Sequence, residues 1–77
     1  MKVYDLRKIA SACGDYTLYV LAELDKLERG ERLKIIVARS ARELLEDTIT
    51  TIERMGVGRV LDKGYENDTY YVVVERA

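Results

Sequence analysis

Residues 15–39 read DYTLYVLAELDKLERGERLKIIVAR, and this stretch decides the fold. Its first part predicts a helix that begins near Asp15, because a carboxylate there can accept hydrogen bonds from the unpaired amides of the first turn. Gly30 suits the left-handed position that ends a helix. Residues 32–39 then predict a strand that is apolar on one face and partly apolar on the other, as befits an inner strand. The apolar positions of the helix recur at helical spacing and are Leu18, Leu21, Leu24 and Leu27.

A short strand precedes this helix. Residues 2–7, KVYDLR, alternate imperfectly between apolar and polar side chains and include the β-favouring Val3 and Tyr4. Strand, helix and strand form a βαβ unit, whose crossover is right-handed in nearly every known case. The first two strands are therefore predicted to run parallel, with the helix on one face of the sheet.

The rest of the chain adds a second helix and a hairpin. Ser40 and Glu43 have the spacing of a capping box, which predicts a helix that begins at Ser40 and ends at Gly56. A third strand, a turn and a fourth strand are predicted over residues 57–62, 63–68 and 69–75. The last two strands would form a hairpin.

The whole chain, residues 1–77, is thus predicted to be one domain of the α/β (α+β) class. Its elements follow the order β-α-β-α-β-β, and they predict a two-layer sandwich in which two helices cover one face of a mixed four-stranded sheet. With 77 residues, the chain is long enough for one compact core and no more.

Charge and hydropathy exclude several partners. The 13 lysines and arginines are balanced by 14 aspartates and glutamates, so no bulk positive field favours direct binding to nucleic acid or anionic lipid. The longest apolar runs, such as residues 35–38, fall far short of the roughly 20 residues that a membrane-spanning helix needs. The first residues pass straight into charged side chains without the pattern of a signal peptide, which predicts a cytoplasmic location.

The sequence also excludes several chemistries. It contains one cysteine, Cys13, and no histidine, so neither an internal disulfide nor the usual structural zinc site can form, and no metal or other cofactor is predicted. The missing histidine excludes a hydrolase built on a Ser-His or Cys-His pair.

Two further properties are predicted from composition and pattern. Proline, phenylalanine, tryptophan, glutamine and histidine are absent and opposite charges are dense, as in proteins of thermophiles, which predicts high thermal stability. Residues 69–74 form a long apolar strand in a small domain, which predicts homodimers or larger assemblies if that strand lies at a sheet edge.

Three short motifs resemble those of a known family. Asp5-Leu6-Arg7, Cys13 and Gly30-Glu31 occur in an order that is similar to the TusA/SirA-like family of small sulfur carriers, over essentially the whole chain. That family has an Asp-Leu-Arg-Gly strand, a Cys-Pro-x-Pro motif at the first helix and a Gly-Glu turn before the second strand. Gly30 follows Cys13 by 17 residues, which matches the family's spacing.

The chain departs from this pattern at several positions. Lys8 replaces the glycine of the first motif, and Cys13-Gly14-Asp15-Tyr16 replaces Cys-Pro-x-Pro, so both prolines that stiffen the helix start are missing. The stretch from Asp5 to Cys13 is about two residues longer than usual, and a shifted alignment would place Ser11 at the cysteine position.

The resemblance implies a persulfide on Cys13, sulfur donor and acceptor proteins as partners, and a supporting role for Arg7. A helix N-terminus would lower the pKa of the Cys13 thiol, whereas the negative charge of Asp15 would raise it. The plain alternative is that Cys13 is a small buried hydrophobic residue.

Three functions follow from these considerations. The first is a persulfide carrier, and the second is a binding or regulatory module of the same fold that has lost sulfur chemistry. The third is RNA binding, which the acidic pI of about 5.4 disfavours.

Overall fold

The computed structural model describes residues 1–8 and 15–77 of the chain. The described elements are β1 (Lys2–Asp5), α1 (Thr17–Asp25), β2 (Arg32–Ala38), a 3₁₀ turn (Arg39–Ala41), α2 (Arg42–Met55), β3 (Gly58–Glu66) and β4 (Thr69–Arg76). The four strands form one sheet in the order β1-β2-β4-β3. β1 runs parallel to β2, and the other two pairs are antiparallel. The mixed four-stranded sheet and the order of elements confirm the predicted fold.

Alternation along the central strands places the core on one face of the sheet. Leu33, Ile35 and Val37 of β2 lie directly opposite Val74, Val72 and Tyr70 of β4, and all six are buried. Side chains of both helices complete the same cluster, namely Val20, Leu24, Leu45, Ile49 and Ile52. Both helices therefore pack on this face, and each large side chain removed from water contributes roughly 1.5–3 kcal/mol.

The first helix is shorter than predicted and presents a different face to the core. α1 ends at Asp25, and Gly30, with φ of +85°, instead occupies a turn that leads into β2. Leu24 is 2% exposed, whereas Leu18 is 70% exposed. At 3.6 residues per turn, positions 18 and 20 point in nearly opposite directions, and Val20 is the one that packs inward. The prediction that Leu18 belongs to the core stripe was wrong.

The start of the second helix also differs from the prediction. Ser40 lies in the 3₁₀ turn, and α2 begins two residues later, at Arg42. Its N-cap is Ala41, with no side-chain cap, so the predicted capping box does not form. The 3₁₀ turn takes up the residues that the box would need. The predicted end is confirmed, because Gly56 adopts the left-handed conformation with φ of +73°.

The hairpin is tighter than predicted. β3 continues through residues that were predicted to form a turn, and Lys63 and Tyr65 pair with Val72 and Tyr70 of β4. Only residues 67–68 form the connection, where Asn67 has a positive φ of 54°. Asparagine tolerates this conformation better than most residues, so it permits a two-residue turn.

The position of β4 bears on the predicted formation of homodimers. This apolar strand lies between β2 and β3, so its hydrogen-bonding groups are used within the sheet. The edges are formed by the short β1 and by β3, which carries a bulge between Val60 and Asp62. Both features blunt an edge against further pairing. Homodimers were predicted on the condition that this apolar strand lies at a sheet edge, and that condition is not met.

Candidate functional site

The connection from β1 to α1 carries the residues predicted to do chemistry. Cys13, together with the alternative position Ser11, lies outside the described residues, which include both ends of the connection. At the first end, Leu6 is 1% exposed, and its amide donates to the carbonyl oxygen of Ile36 at 2.8 Å. This bond extends the parallel pairing of β1 with β2 by one residue, so the chain leaves the sheet from a fixed point.

Arg7 forms a close ion pair with Asp5 just after this point. Its Nη2 donates to Asp5 Oδ2 at 2.6 Å, its Nε donates to both carboxylate oxygens, and its backbone amide donates to Oδ1 at 3.0 Å. The side-chain hydrogen bond from Arg7, followed by the backbone one, lowers the pKa of Asp5 from 3.8 to about 2. Any positive charge that Arg7 offers to Cys13 is therefore shared with Asp5.

We expect this ion pair to be visible in a titration. The lowered pKa means that the pair stabilises the fold above about pH 3.8 and that this contribution is lost as the pH falls through about 2. Both side chains are about half exposed, so the effect on stability is small and decreases with salt. Carboxyl chemical shifts should give Asp5 a pKa of about 2 in the wild type and a higher pKa in Arg7→Gln, which loses the side-chain hydrogen bonds and keeps the backbone one.

Arg29→Gln is the control for that titration, because it removes an equal charge from an exposed arginine with no described ion pair. The pKa of Asp5 should not move in this variant. An Asp5 that titrates near 3.8 in the wild type would show that the ion pair does not form in solution.

The other end of the connection is held by hydrogen bonds at the start of α1. The carboxylate of Asp15 accepts the amide of Thr17 at 3.0 Å, as predicted for the first turn. Tyr16 is 5% exposed, and its amide donates to the hydroxyl oxygen Oγ1 of Thr48 at 2.9 Å. The hydroxyl of Thr17 is shielded from water and has no partner in residues 1–8 and 15–77.

Thr48 has a role that sequence reasoning missed. Thr48 lies beside the apolar residues of α2, and its contact is with a residue 32 positions away in the chain. It is fully buried and is the one polar side chain in the described core. The available signal was a hydroxyl within the stripe formed by Leu45, Ile49 and Ile52, because buried polar groups almost always have a partner.

A second cluster combines arginine and tyrosine side chains. The guanidinium of Arg39 lies 4.3 Å from the ring centroid of Tyr65, and that of Arg42 lies 5.9 Å from the same centroid. Arg42 also pairs with Glu46 at 2.6 Å, whereas Arg39 has no ion-pair partner within the described ranges. An open depression of about 510 Å³ adjoins them and is also lined by Ser40 and Glu43.

The sheet face opposite the helices carries paired charges. Lys34 forms an ion pair with Glu66 and lies 4.8 Å from the ring centroid of Tyr71. The Tyr71 hydroxyl donates to the carboxylate of Asp62 at 3.1 Å, and this bond raises the pKa of Tyr71 above its usual value. Glu75 similarly joins Arg59 and Arg32. The cations of this face are therefore neutralised by neighbouring carboxylates.

Comparisons with protein-family models, with curated proteins and with solved structures gave no match to this chain. None of the helices in the described ranges has the length and apolar character to cross a membrane. No group of three or more carboxylate or thiol side chains within residues 1–8 and 15–77 is placed to hold a metal ion. The resemblance to the TusA/SirA-like family thus stays a prediction from the motifs themselves.

Proposed function

We propose that this protein is a small sulfur carrier that takes up and relays persulfide sulfur on Cys13. The observation that carries the proposal is the position of Cys13 in a βαβαββ fold. The residue lies in the connection from β1 to α1, four residues before the helix begins. This is where the resemblance requires the sulfur-bearing cysteine. Buried Leu6 and Tyr16 anchor the two ends of the connection.

The chemistry needs one thiolate and two partner proteins. The Cys13 thiolate attacks the outer sulfur of a persulfide on a donor cysteine, the sulfur–sulfur bond breaks, and the donor leaves as a thiolate. Cys13 then carries the persulfide. An acceptor thiolate attacks the outer sulfur of Cys13 in turn, and the Cys13 thiolate is regenerated. Sulfur moves as a neutral atom between thiolates, so neither step needs an external oxidant.

The described residues around the connection contribute electrostatics. The positive end of the α1 dipole favours a negative charge nearby, which suits a thiolate or a persulfide anion, although the amides of Tyr16 and Thr17 are already bound by Thr48 and Asp15. The carboxylate of Asp15 opposes this, although its Oδ1 already accepts the Thr17 amide. Lys8 adds a positive charge that is not paired with any described carboxylate. A reduced thiol suits the cytoplasm, which is the location that we propose.

Mass spectrometry tests the proposal directly. After incubation with a cysteine desulfurase and cysteine, the wild type should gain the mass of one sulfur atom, and Cys13→Ser should gain none. Asp15→Asn should load faster, because it removes the charge while its side-chain oxygen can still accept the Thr17 amide. A wild type that gains no mass, with a thiol that titrates near the free value of about 8.5, would refute the carrier proposal.

A swapped variant checks the alternative alignment. In Ser11→Cys combined with Cys13→Ser, the thiol is moved two residues along the same connection. If Cys13 is the carrier position, this variant should load poorly. Loading at the wild-type rate would show that position 11 can serve equally well.

The second candidate is a binding module without sulfur chemistry, and the arginine–tyrosine cluster favours it. Arg39 is not neutralised by a described carboxylate and lies on the exposed ring of Tyr65, beside an open depression. A guanidinium in this setting can bind a carboxylate or phosphate group. Addition of inorganic phosphate should then shift the amide signals of residues 39–42, and Arg39→Gln should abolish the shift. Absence of that shift in the wild type would remove this candidate.

A further inference from the structure

The outer edge of β3 carries backbone groups that the sheet does not use. β3 lies at one end of the sheet, because the strand order is β1-β2-β4-β3. The Lys63 amide donates to the side-chain oxygen Oδ1 of Asp62 at 2.9 Å, which places the backbone groups of Lys63 on the side away from β4. Backbone groups alternate in direction along an antiparallel strand, so the amide and carbonyl of Tyr65 point the same way. Another extended chain can therefore pair with this edge at Tyr65.

A groove of about 310 Å³ lies beside this edge, on the helix side of the sheet. Its floor is apolar and contains Ile49, Val60 and Val72, which belong to the core or pack against it. Glu53 of α2 lines one wall, and Lys63 of β3 lines the other. Side chains of an extended chain alternate between the two faces of a sheet, so every second side chain of a chain paired with β3 would face this groove.

An arginine without a counter-charge lies at the end of the groove where β3 finishes. The guanidinium of Arg39 is 4.3 Å from the ring centroid of Tyr65 and adjoins the open depression of about 510 Å³. Within residues 1–8 and 15–77, Arg39 has no ion-pair partner. Tyr65 thus offers its backbone to the free edge and its ring to the guanidinium. Glu53, at the opposite end of the groove, carries the opposite charge.

We infer that the groove between α2 and β3 binds the C-terminal segment of a partner protein, as an extended chain that pairs with β3 and places its terminal carboxylate at Arg39. The segment runs parallel to β3, because its carboxylate lies at the end where β3 finishes. An apolar side chain enters the groove, and a basic side chain further back in the segment reaches Glu53. The inference rests on the second candidate function, for which it names the ligand, and does not depend on Cys13.

Two features of β3 disfavour other occupants of its edge. The bulge between Val60 and Asp62 restricts regular pairing to the short segment of residues 62–66, which discourages pairing with a long strand. Antiparallel pairing of two copies of β3 centred on Gly64 would place Asp62 opposite Glu66, and like charges directly opposite each other are destabilising. A short segment that ends in a carboxylate avoids both problems.

A matched pair of peptides tests the inference. The probe is a synthetic peptide of two lysines followed by alternating threonine and valine, with valine last, and it is made with either a free C-terminal carboxylate or a C-terminal amide. The wild type should bind the acid about fivefold more tightly than the amide, because only the acid forms a charge-assisted hydrogen bond with Arg39. In Arg39→Gln the two affinities should be equal. Each ratio is measured within one variant, so a loss of stability does not imitate this result.

Amide hydrogen exchange reports whether the peptide pairs with β3. At saturation with the acid, the Tyr65 amide should exchange roughly tenfold more slowly, whereas the Gly64 amide, which faces β4, should change little. Arg54→Gln is the control variant, because it removes an equal charge from an exposed arginine at the far end of α2. This variant should keep the wild-type preference for the acid.

The possible outcomes are distinct. Equal binding of acid and amide by the wild type, or binding without slower exchange of the Tyr65 amide, would overturn the inference. A phosphate-induced shift at residues 39–42 without a preference for the acid peptide would leave the second candidate function in place and refute only the peptide ligand. Sedimentation that shows a dimer, with a protected Tyr65 amide in the absence of peptide, would identify a second copy as the occupant and also refute it.

Discussion

Leu24→Ala should lower the free energy of unfolding by about 3 kcal/mol, whereas Leu18→Ala should change it by less than about 0.5 kcal/mol. The two leucines lie in the same helix and were predicted to share one apolar stripe. Leu24 is 2% exposed and packs between the sheet and α2, but Leu18 is 70% exposed. Truncation at position 24 leaves a cavity in the core, whereas truncation at position 18 removes a side chain that is largely in water.

Chemical denaturation, followed with two probes, measures this difference in the free energy of unfolding. A domain of this size has a total stability of about 4–12 kcal/mol, so a loss of about 3 kcal/mol is a large fraction of it. The thermal midpoint should fall by roughly 12–24 °C in Leu24→Ala and by little in Leu18→Ala. Equal losses in the two variants would contradict the orientation of α1 on the sheet.

Gly58→Ala should destabilise the protein by about 1–3 kcal/mol through overpacking. Gly58 begins β3 on the core side, where an added Cβ would lie 2.8 Å from Val74 Cγ1 and 2.9 Å from Ile52 Cγ2. Both methyl groups belong to fully buried branched side chains, which have little room to move. The backbone of Gly58 does not have a positive φ, so the expected loss comes from the added methyl group and not from backbone strain.

Gly64→Ala, in the same strand, is the matched control. There the nearest atom to an added Cβ is the Tyr71 hydroxyl oxygen at 3.3 Å, at the end of a ring that is only partly buried. Replacing a glycine inside a strand also gains about 0.5–1 kcal/mol from reduced chain entropy. The net change should stay within about 1 kcal/mol in either direction. A Gly58→Ala variant as stable as the wild type would show that β3 is not packed against α2 in this way.

Local patterns predicted each α-helix and strand of the fold but not the 3₁₀ turn or all of the boundaries. The alternation of residues 32–38 and the left-handed glycine at position 56 act over a few residues, and both were interpreted correctly. The capping box at Ser40 failed because a 3₁₀ turn occupies the same residues. The turn predicted over residues 63–68 was too long, because pairing with β4 continues through residue 66. In both cases the residues adopted a different secondary structure from the one that their local sequence pattern predicted.

At the candidate site, too, contacts between residues close in sequence differ from contacts between distant residues in how far they could be predicted. The role of Asp15 at the start of α1 followed from the sequence, because its acceptor oxygen and the Thr17 amide lie two residues apart. The Asp5–Arg7 pair is equally local, yet it was missed because the resemblance directed Arg7 towards Cys13. The Thr48–Tyr16 bond spans 32 residues and could not be predicted without knowing how α2 lies against α1.

The sequence by itself therefore determined the element order, the parallel first pair of strands and the placement of both helices on one face, because periodicity and crossover handedness constrain these features directly. It also placed the one cysteine in the connection before α1. Only the tertiary structure decided that β4 lies inside the sheet, that Leu24 and not Leu18 faces the core, and that Thr48 holds Tyr16. These features depend on which surfaces meet when distant elements pack together, and a buried polar group or a close methyl contact is specified only at that stage.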